Sequence, residues 1–198
     1  MEQFWNERYG AEAYAYGTKP NQFLAEHIAS LPIGKVLFAA EGEGRNAVFA
    51  AQNGFHVAAF DTSEKGKIKA DLLATEKKVQ INYQVGMLDD LGYESNSFDG
   101  LVLIYAHFDD SVRASLHKKL IDLVKPGGVI LFEAFSKDQI QYPSGGPKKL
   151  AMLFDLEEVK NEFNNCDFSY LKSEVIELSE GEKKKKKGSV IRFIATKN

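Results

Sequence analysis

The sequence predicts a Rossmann-like, doubly wound α/β fold: a mostly parallel sheet closed by an antiparallel C-terminal hairpin, with helices on both faces. Three observations predict it. Short apolar runs alternate with helical patterns along most of the chain, as successive βαβ units require. Two of those runs, Leu101-Val102-Leu103-Ile104 and Val129-Ile130-Leu131-Phe132, contain no polar residue, as expected of central strands covered on both faces. A third run, Val36-Leu37-Phe38-Ala39-Ala40, opens directly into Glu41-Gly42-Glu43-Gly44-Arg45-Asn46 and a helix-forming stretch.

Each element has a local reason. Residues 4–9 read as a short helix, and a loop leads to a second helix started by Pro20, whose fixed φ suits a first turn. Strands follow at 35–40 and 56–61. Between them a helix carries Ala47, Val48 and Ala51 on one face and stops at Asn53-Gly54. Further strands are expected at 80–84, 98–105 and 129–135. The helix from Ser111 places Val112, Leu116, Leu120 and Leu123 at helical spacing and ends at Lys125-Pro126-Gly127-Gly128. Asp155, with Glu158 three residues later and Phe154 placed to staple Val159, starts another helix. Residues 170–178 and 189–196 flank the loop 179–188 with no helix between them. So short a connection joins only antiparallel neighbours.

The 198 residues fit one domain, with 1–30 as an N-terminal helical lid segment. A content of 44% hydrophobic and 27% charged residues is that of an ordinary globular protein. The net charge of −3 offers no bulk attraction to nucleic acid. No apolar run approaches the roughly 20 residues that span a bilayer, and Met1-Glu2-Gln3-Phe4-Trp5-Asn6-Glu7-Arg8 lacks the basic start and apolar core of a signal peptide. Cys166 is the only cysteine, so neither an intramolecular disulfide nor a cysteine zinc site can form. A cytoplasmic location without a membrane partner is expected. Composition leaves the oligomeric state open.

The glycine turn carries the chemistry. Gly42 and Gly44 let the backbone turn sharply and approach a ligand, and Asp61, at the tip of the next strand, is placed to accept ribose hydroxyls. The turn satisfies the pattern G-x-G-x-x-A, which also suits dinucleotides. A pyrophosphate wants bare N–H groups and a positive helix end. Here Glu41 and Glu43 flank the loop, and their charge suits S-adenosylmethionine (SAM), a ligand with a sulfonium and an ammonium and no phosphate. Two alternatives stay open: a non-catalytic SAM- or nucleoside-binding module, and a nicotinamide-dependent oxidoreductase using the same turn.

The chain resembles the class I SAM-dependent methyltransferases, within them the tellurite-resistance and thiopurine methyltransferase-like group. The matching stretches begin with Trp5-Asn6-Glu7-Arg8-Tyr9, Gly17-Thr18-Lys19-Pro20-Asn21 and Ala40-Glu41-Gly42-Glu43-Gly44-Arg45-Asn46. They continue with Phe98-Asp99-Gly100, Val124-Lys125-Pro126-Gly127-Gly128, Gly145-Gly146-Pro147 and the end from Glu180-Gly181 to Lys197. The resemblance implies a seven-stranded sheet with the last strand antiparallel, and methyl transfer from SAM to a small molecule, a chalcogen oxyanion or a thiol. It also implies that Gly42 and Gly44 pass beside the methionine part of SAM and that Asp61 takes the ribose. Met87 and Leu88 then lie beside the adenine, and Tyr105 faces the sulfonium. The chain departs from many relatives at Phe38, where they carry an acid, at Ala40, often glycine, and at Met87, often aspartate. Glu41 is the residue expected to substitute for the missing acid.

Methyl transfer asks mainly for alignment of nucleophile, carbon and sulfur. His107, just past the fourth strand's tip, is the candidate base, against the alternative of a histidine bonding a loop carbonyl. Arg45 could face an anionic acceptor or serve as a surface ion-pair partner. Asp109 and Asp110 read as the acidic start of a helix, and no metal site is expected. The loop 142–147 is expected to cover the acceptor. Trp5, Tyr9 and Tyr16 are expected to fold over the cofactor, where an aromatic ring attracts a sulfonium, or else to pack in the ordinary way. The lysine run 183–187 reads as a solvated hairpin tip.

Overall fold

The structure, a computed structural model, describes residues 2–178 and 186–198. Its strands are β1 (Lys35–Ala39), β2 (His56–Asp61), β3 (Asn82–Val85), β4 (Phe98–Ile104), β5 (Val124–Phe135), β6 (Cys166–Leu178) and β7 (Lys186–Lys197). Its helices are α1 (Glu2–Tyr9), α2 (Gln22–His27), α3 (Arg45–Gln52), α4 (Glu64–Glu76), α5 (Asp110–Leu123) and α6 (Leu156–Glu162). The strands form one sheet in the order β3-β2-β1-β4-β5-β7-β6. The pairs from β3 to β5 are parallel, whereas β7 runs antiparallel to both β5 and β6. The predicted fold class is the observed one.

The two sheet faces bury different helices. Phe23 and Leu24 of α2, Ala47 and Ala50 of α3, and Ala70 of α4 pack on Val36, Phe38, Val102 and Leu131. On the other face, Leu120 and Ile121 of α5 and Val159 of α6 pack on Leu37, Leu101, Leu103 and Phe132. Burial of each such large side chain stabilises the fold by about 1.5–3 kcal/mol. Strand order reverses between β1 and β4, so the crevice at their carboxyl ends is the expected ligand position. Ala40 and Tyr105, the residues just past β1 and β4, both take a left-handed backbone, at φ 53°. That conformation costs a non-glycine residue of order 1 kcal/mol, and both stand at the crevice.

Several boundaries differ from the sequence reading. Pro20 precedes the helix it was expected to open; Asn21 is the N-cap, its side chain accepting from the Leu24 N–H at 3.0 Å. Helix α4 was not foreseen; its N-cap is Ser63, and its lysines and glutamates dilute the apolar stripe to Ala70, Leu73 and Ala74. Val112 is exposed and lies outside the core. Strand β5 begins at Val124, which pairs with Phe98, and residues 125–128, with Gly127 at φ 80°, interrupt the register before Val129 pairs with Gly100; the strand was expected only from Val129. The predicted cap at Asp155 forms as a full capping box with Glu158, and of the acidic pair expected to start the helix, Asp109 is its N-cap and Asp110 its first residue. Of the expected loop 179–188, residues 179–185 lie outside the described residues. So do Glu180, Gly181 and the first three lysines of the run, while Lys186 and Lys187 open β7 and are exposed.

Candidate cofactor and acceptor site

The glycine turn is anchored on both sides. The Glu41 N–H donates to the Phe60 carbonyl at 3.1 Å, tying the turn to the end of β2. Gly42 takes φ 63°, and a Cβ there would stand 2.6 Å from the Tyr9 hydroxyl. Gly44, the N-cap of α3, takes φ 84°, and its Cβ would meet that of Ala70 on α4 at 2.5 Å. Both positions therefore require glycine through conformation and contact together.

Having no side chain, Gly44 cannot cap α3, and Glu41 does so from three residues upstream. Its Oε1 accepts from the Asn46 N–H at 2.9 Å and the Ala47 N–H at 2.8 Å. Burial pushes the Glu41 carboxyl up to about 7, against the opposing pull of those two N–H groups and of Arg45. Glu43 does something else. Buried, it pairs with Lys69 Nζ at 2.7 Å and accepts from the Ala15 N–H at 2.7 Å. The expectation that both acids line the ligand is corrected: Glu43 is neutralised and pins the N-terminal segment, which leaves Glu41.

Asp61 ends β2 with its carboxylate held by the Gly42 and Ser63 N–H groups, each at 3.0 Å. A carboxylate has about four acceptor sites; with the Thr62 N–H also bearing on it, acceptor capacity remains for a further donor. Burial pushes its pKa up, against the pull of those N–H groups. The Gly86 N–H donates to the Asp61 carbonyl at 3.0 Å and sets the following residues beside it. There Met87 is exposed and Leu88 is nearly buried, one open face and one backed by core. Tyr83, which the sequence did not single out, donates its hydroxyl to the Gly42 carbonyl at 2.6 Å.

The N-terminal segment lies over this turn. Helix α1 packs on α4, where Asn6 Oδ1 accepts from the Ser63 hydroxyl at 2.8 Å and the Lys65 N–H at 3.2 Å. Trp5 stacks on Tyr9, with centroids 5.3 Å apart. It is Tyr9 that reaches Gly42; Tyr16 is half-buried under the Arg8 guanidinium, 5.4 Å from its ring centre. Lys69 extends the anchoring by donating to the Ala13 carbonyl at 2.8 Å. Phe38 is fully buried in the α3-side core, so the position of an acid in many relatives is apolar packing here.

On the other side of the crevice stand aromatic groups. Tyr105 lies 4.6 Å from Phe135 between ring centres, and His107 stacks on Phe135 at 5.7 Å. His107 Nδ1 lies 2.8 Å from the Met152 carbonyl, and Nε2 accepts from the Phe135 N–H at 3.4 Å. The first contact requires the proton on Nδ1. With both nitrogens engaged by backbone, and burial pushing its pKa down to about 4, His107 has the environment of a tie between loops. The loop 142–147 rests on the same group: Gly146 takes φ 76°, and a Cβ there would stand 2.7 Å from Phe135 Cδ2. Gln139, buried, donates to Ser144 Oγ at 2.9 Å and the Gly145 carbonyl at 3.1 Å, and accepts from the Ser189 N–H at 2.8 Å. Asp109 and Asp110 pair with Lys149, each at 3.2 Å.

Residues 36–128, from β1 through the glycine turn to the start of β5, match the family model of a methyltransferase domain. That match takes in just under half of the chain and supports a methyltransferase. No curated protein matches the chain. Among solved structures, it is similar to the protein studied in the conversion of a disulfide bond into a thioacetal group during echinomycin biosynthesis. That match has 16% identity and a TM-score of 0.76, covering 100% of this chain and 92% of the other. It is also similar to TehB from Haemophilus influenzae, at 18% identity and a TM-score of 0.74, covering 100% and 67%. The SAM-bound magnesium protoporphyrin IX methyltransferase of Synechocystis PCC 6803 matches at 18% identity and a TM-score of 0.64, covering 88% and 76%. At these identities the likeness establishes the fold. Among the described residues, no helix is long and apolar enough to cross a membrane.

Proposed function

We propose that the protein transfers a methyl group from SAM to a small, already nucleophilic acceptor, a thiol or a chalcogen oxyanion. The observation that carries this reading is the closed helix end: Glu41 holds the Asn46 and Ala47 N–H groups that a pyrophosphate would need, beside an Asp61 with acceptor capacity left for a ribose. The residues present fit SAM. In this reading the turn at Gly42 and Gly44 runs beside its methionine part, Glu41 offers negative charge to its ammonium, and Met87 and Leu88 flank its adenine. When bound, SAM supplies a methyl group on an excellent leaving group, so the protein contributes alignment and exclusion of water.

The acceptor class follows from what surrounds Tyr105. His107 has both nitrogens engaged and stays neutral above about pH 4. The acceptor therefore arrives as a nucleophile and is not activated by that residue. Tyr105 packs on Phe135, against which Gly146 of the loop 142–147 also rests, and an aromatic surround of this kind suits a polarisable atom such as sulfur. Tyr9 and Trp5 act as the lid over the cofactor, with Tyr16 at its edge. The group-level resemblance, the TehB likeness and the disulfide-to-thioacetal chemistry studied with the echinomycin-biosynthesis protein support the same class.

Incubation with methyl-labelled SAM and a panel of thiols, selenite, tellurite, phenols and amines tests the proposal. Label is expected in the thiol or chalcogen products. Transfer confined to phenols or amines refutes the acceptor class, and no transfer to any acceptor despite tight SAM binding favours a binding module.

A further inference from the structure

We propose that Glu41 is the residue that sets the ligand class of this crevice. Its carboxylate occupies the α3 N–H groups that a diphosphate would take, and so closes a dinucleotide-type glycine turn to phosphates. This inference rests on the reading of the crevice as a nucleoside site. The turn itself, G-x-G-x-x-A after a buried strand with an acid ending the next strand, has the layout that elsewhere binds pyrophosphate at the helix end. In this chain the layout is intact and the anion position is filled from within.

Three contacts make the filling specific. Glu41 Oε1 bridges the Asn46 and Ala47 N–H groups at 2.9 and 2.8 Å, the two donors that an N-cap side chain or an anion normally receives. Asp61 Oδ2 takes the Gly42 N–H at 3.0 Å, so a third backbone donor of the turn already faces a carboxylate. Glu43, the other acid of the loop, is engaged with Lys69 and the Ala15 N–H and contributes no charge to the opening. Exclusion of phosphate thus falls to one side chain, and it acts in two ways, by occupying donors and by repelling like charge. An amino-acid end with an ammonium meets the opposite sign.

The test is a binding comparison of wild type, Glu41→Ala and Glu41→Gln with two adenosine ligands, S-adenosylhomocysteine and ADP. Wild type is expected to bind S-adenosylhomocysteine and to bind ADP at least a hundredfold more weakly. Glu41→Ala, which uncovers the helix end, is expected to bind ADP at least tenfold more tightly than wild type does. Glu41→Gln, whose amide oxygen still caps α3 without charge, is expected to gain about threefold to fivefold. A folded Glu41→Ala that binds ADP no better than wild type overturns the proposal. If that variant does not fold, an unchanged ADP affinity in Glu41→Gln overturns it. Wild type binding S-adenosylhomocysteine in either of those cases leaves the nucleoside reading standing. Wild type binding ADP as firmly as S-adenosylhomocysteine overturns the proposal alone. Wild type binding neither ligand overturns the reading beneath it.

Discussion

Replacing Glu41 by glutamine should make the protein more stable and worse at binding its cofactor, and the stability gain should depend on pH. Burial raises the Glu41 pKa from 4.5 to about 7. A carboxyl whose folded value lies above its unfolded value stabilises the fold below the unfolded pKa, and that contribution disappears as pH rises through the folded one. The displacement of about 2.5 at ~1.4 kcal/mol per pKa unit sets a ceiling of ~3.4 kcal/mol on the cost of ionising Glu41 in place. Glutamine resembles the protonated acid and keeps an oxygen for the Asn46 and Ala47 N–H groups, so it avoids that cost. Allowing for relaxation, the gain at pH 8 should be about 1–3 kcal/mol, or roughly 2–10 °C in Tm for a chain of this size. Near pH 5 the difference should shrink to about 1 kcal/mol or less. Thermal melts of both between pH 5 and pH 8, with S-adenosylhomocysteine affinities beside them, test this. A glutamine variant less stable at pH 8, or a gain equal at both ends of the range, refutes the assignment of Glu41 as the partly buried cap of α3.

Lys69→Met leaves the Glu43 carboxylate buried and unpaired, so it should destabilise the protein by about 3–5 kcal/mol. Chemical denaturation reads this, and adding Glu43→Gln should restore most of the loss; no restoration would contradict the pairing. His107→Gln should lower turnover by less than tenfold at neutral pH, because the imidazole acts as a tie between loops. A loss on the order of 10²–10⁴, with a pH profile that loses a limb, would restore it as the base. Gly146→Ala strains a left-handed turn and drives a Cβ into the Phe135 ring. It should raise the KM for a thiol acceptor several-fold while the S-adenosylhomocysteine Kd stays within about twofold. A change in the cofactor Kd alone would place the loop on the wrong ligand.

Legibility in the sequence followed the physics of each element. The central strands β4 and β5 could be read because burial on both faces removes polar residues from 101–104 and 129–132. The turn at 41–46 could be read because glycine is required there by conformation. Helix α4 could not, since its buried stripe is short, Ala70, Leu73 and Ala74, and is diluted by lysines and glutamates. At the site, Gly42, Gly44 and Asp61 sit together as expected, whereas the roles of the two acids divide. Nothing in the spacing says that Glu41 turns in to cap α3 while Glu43 reaches Lys69, 26 residues away. Tyr9 and Tyr83 meet Gly42 from α1 and β3, through tertiary contacts that carry no local pattern. His107 illustrates the converse: a residue type that suggests proton transfer, with both ring nitrogens against backbone groups.

The most direct test of the account is a calorimetric titration of the full chain with S-adenosylmethionine, S-adenosylhomocysteine and NAD. Saturable binding of both adenosyl ligands at micromolar or tighter Kd, with no heat from NAD, is the predicted result. Firm binding of NAD and none of S-adenosylmethionine would contradict it, because a helix end closed by Glu41 has no place for a pyrophosphate.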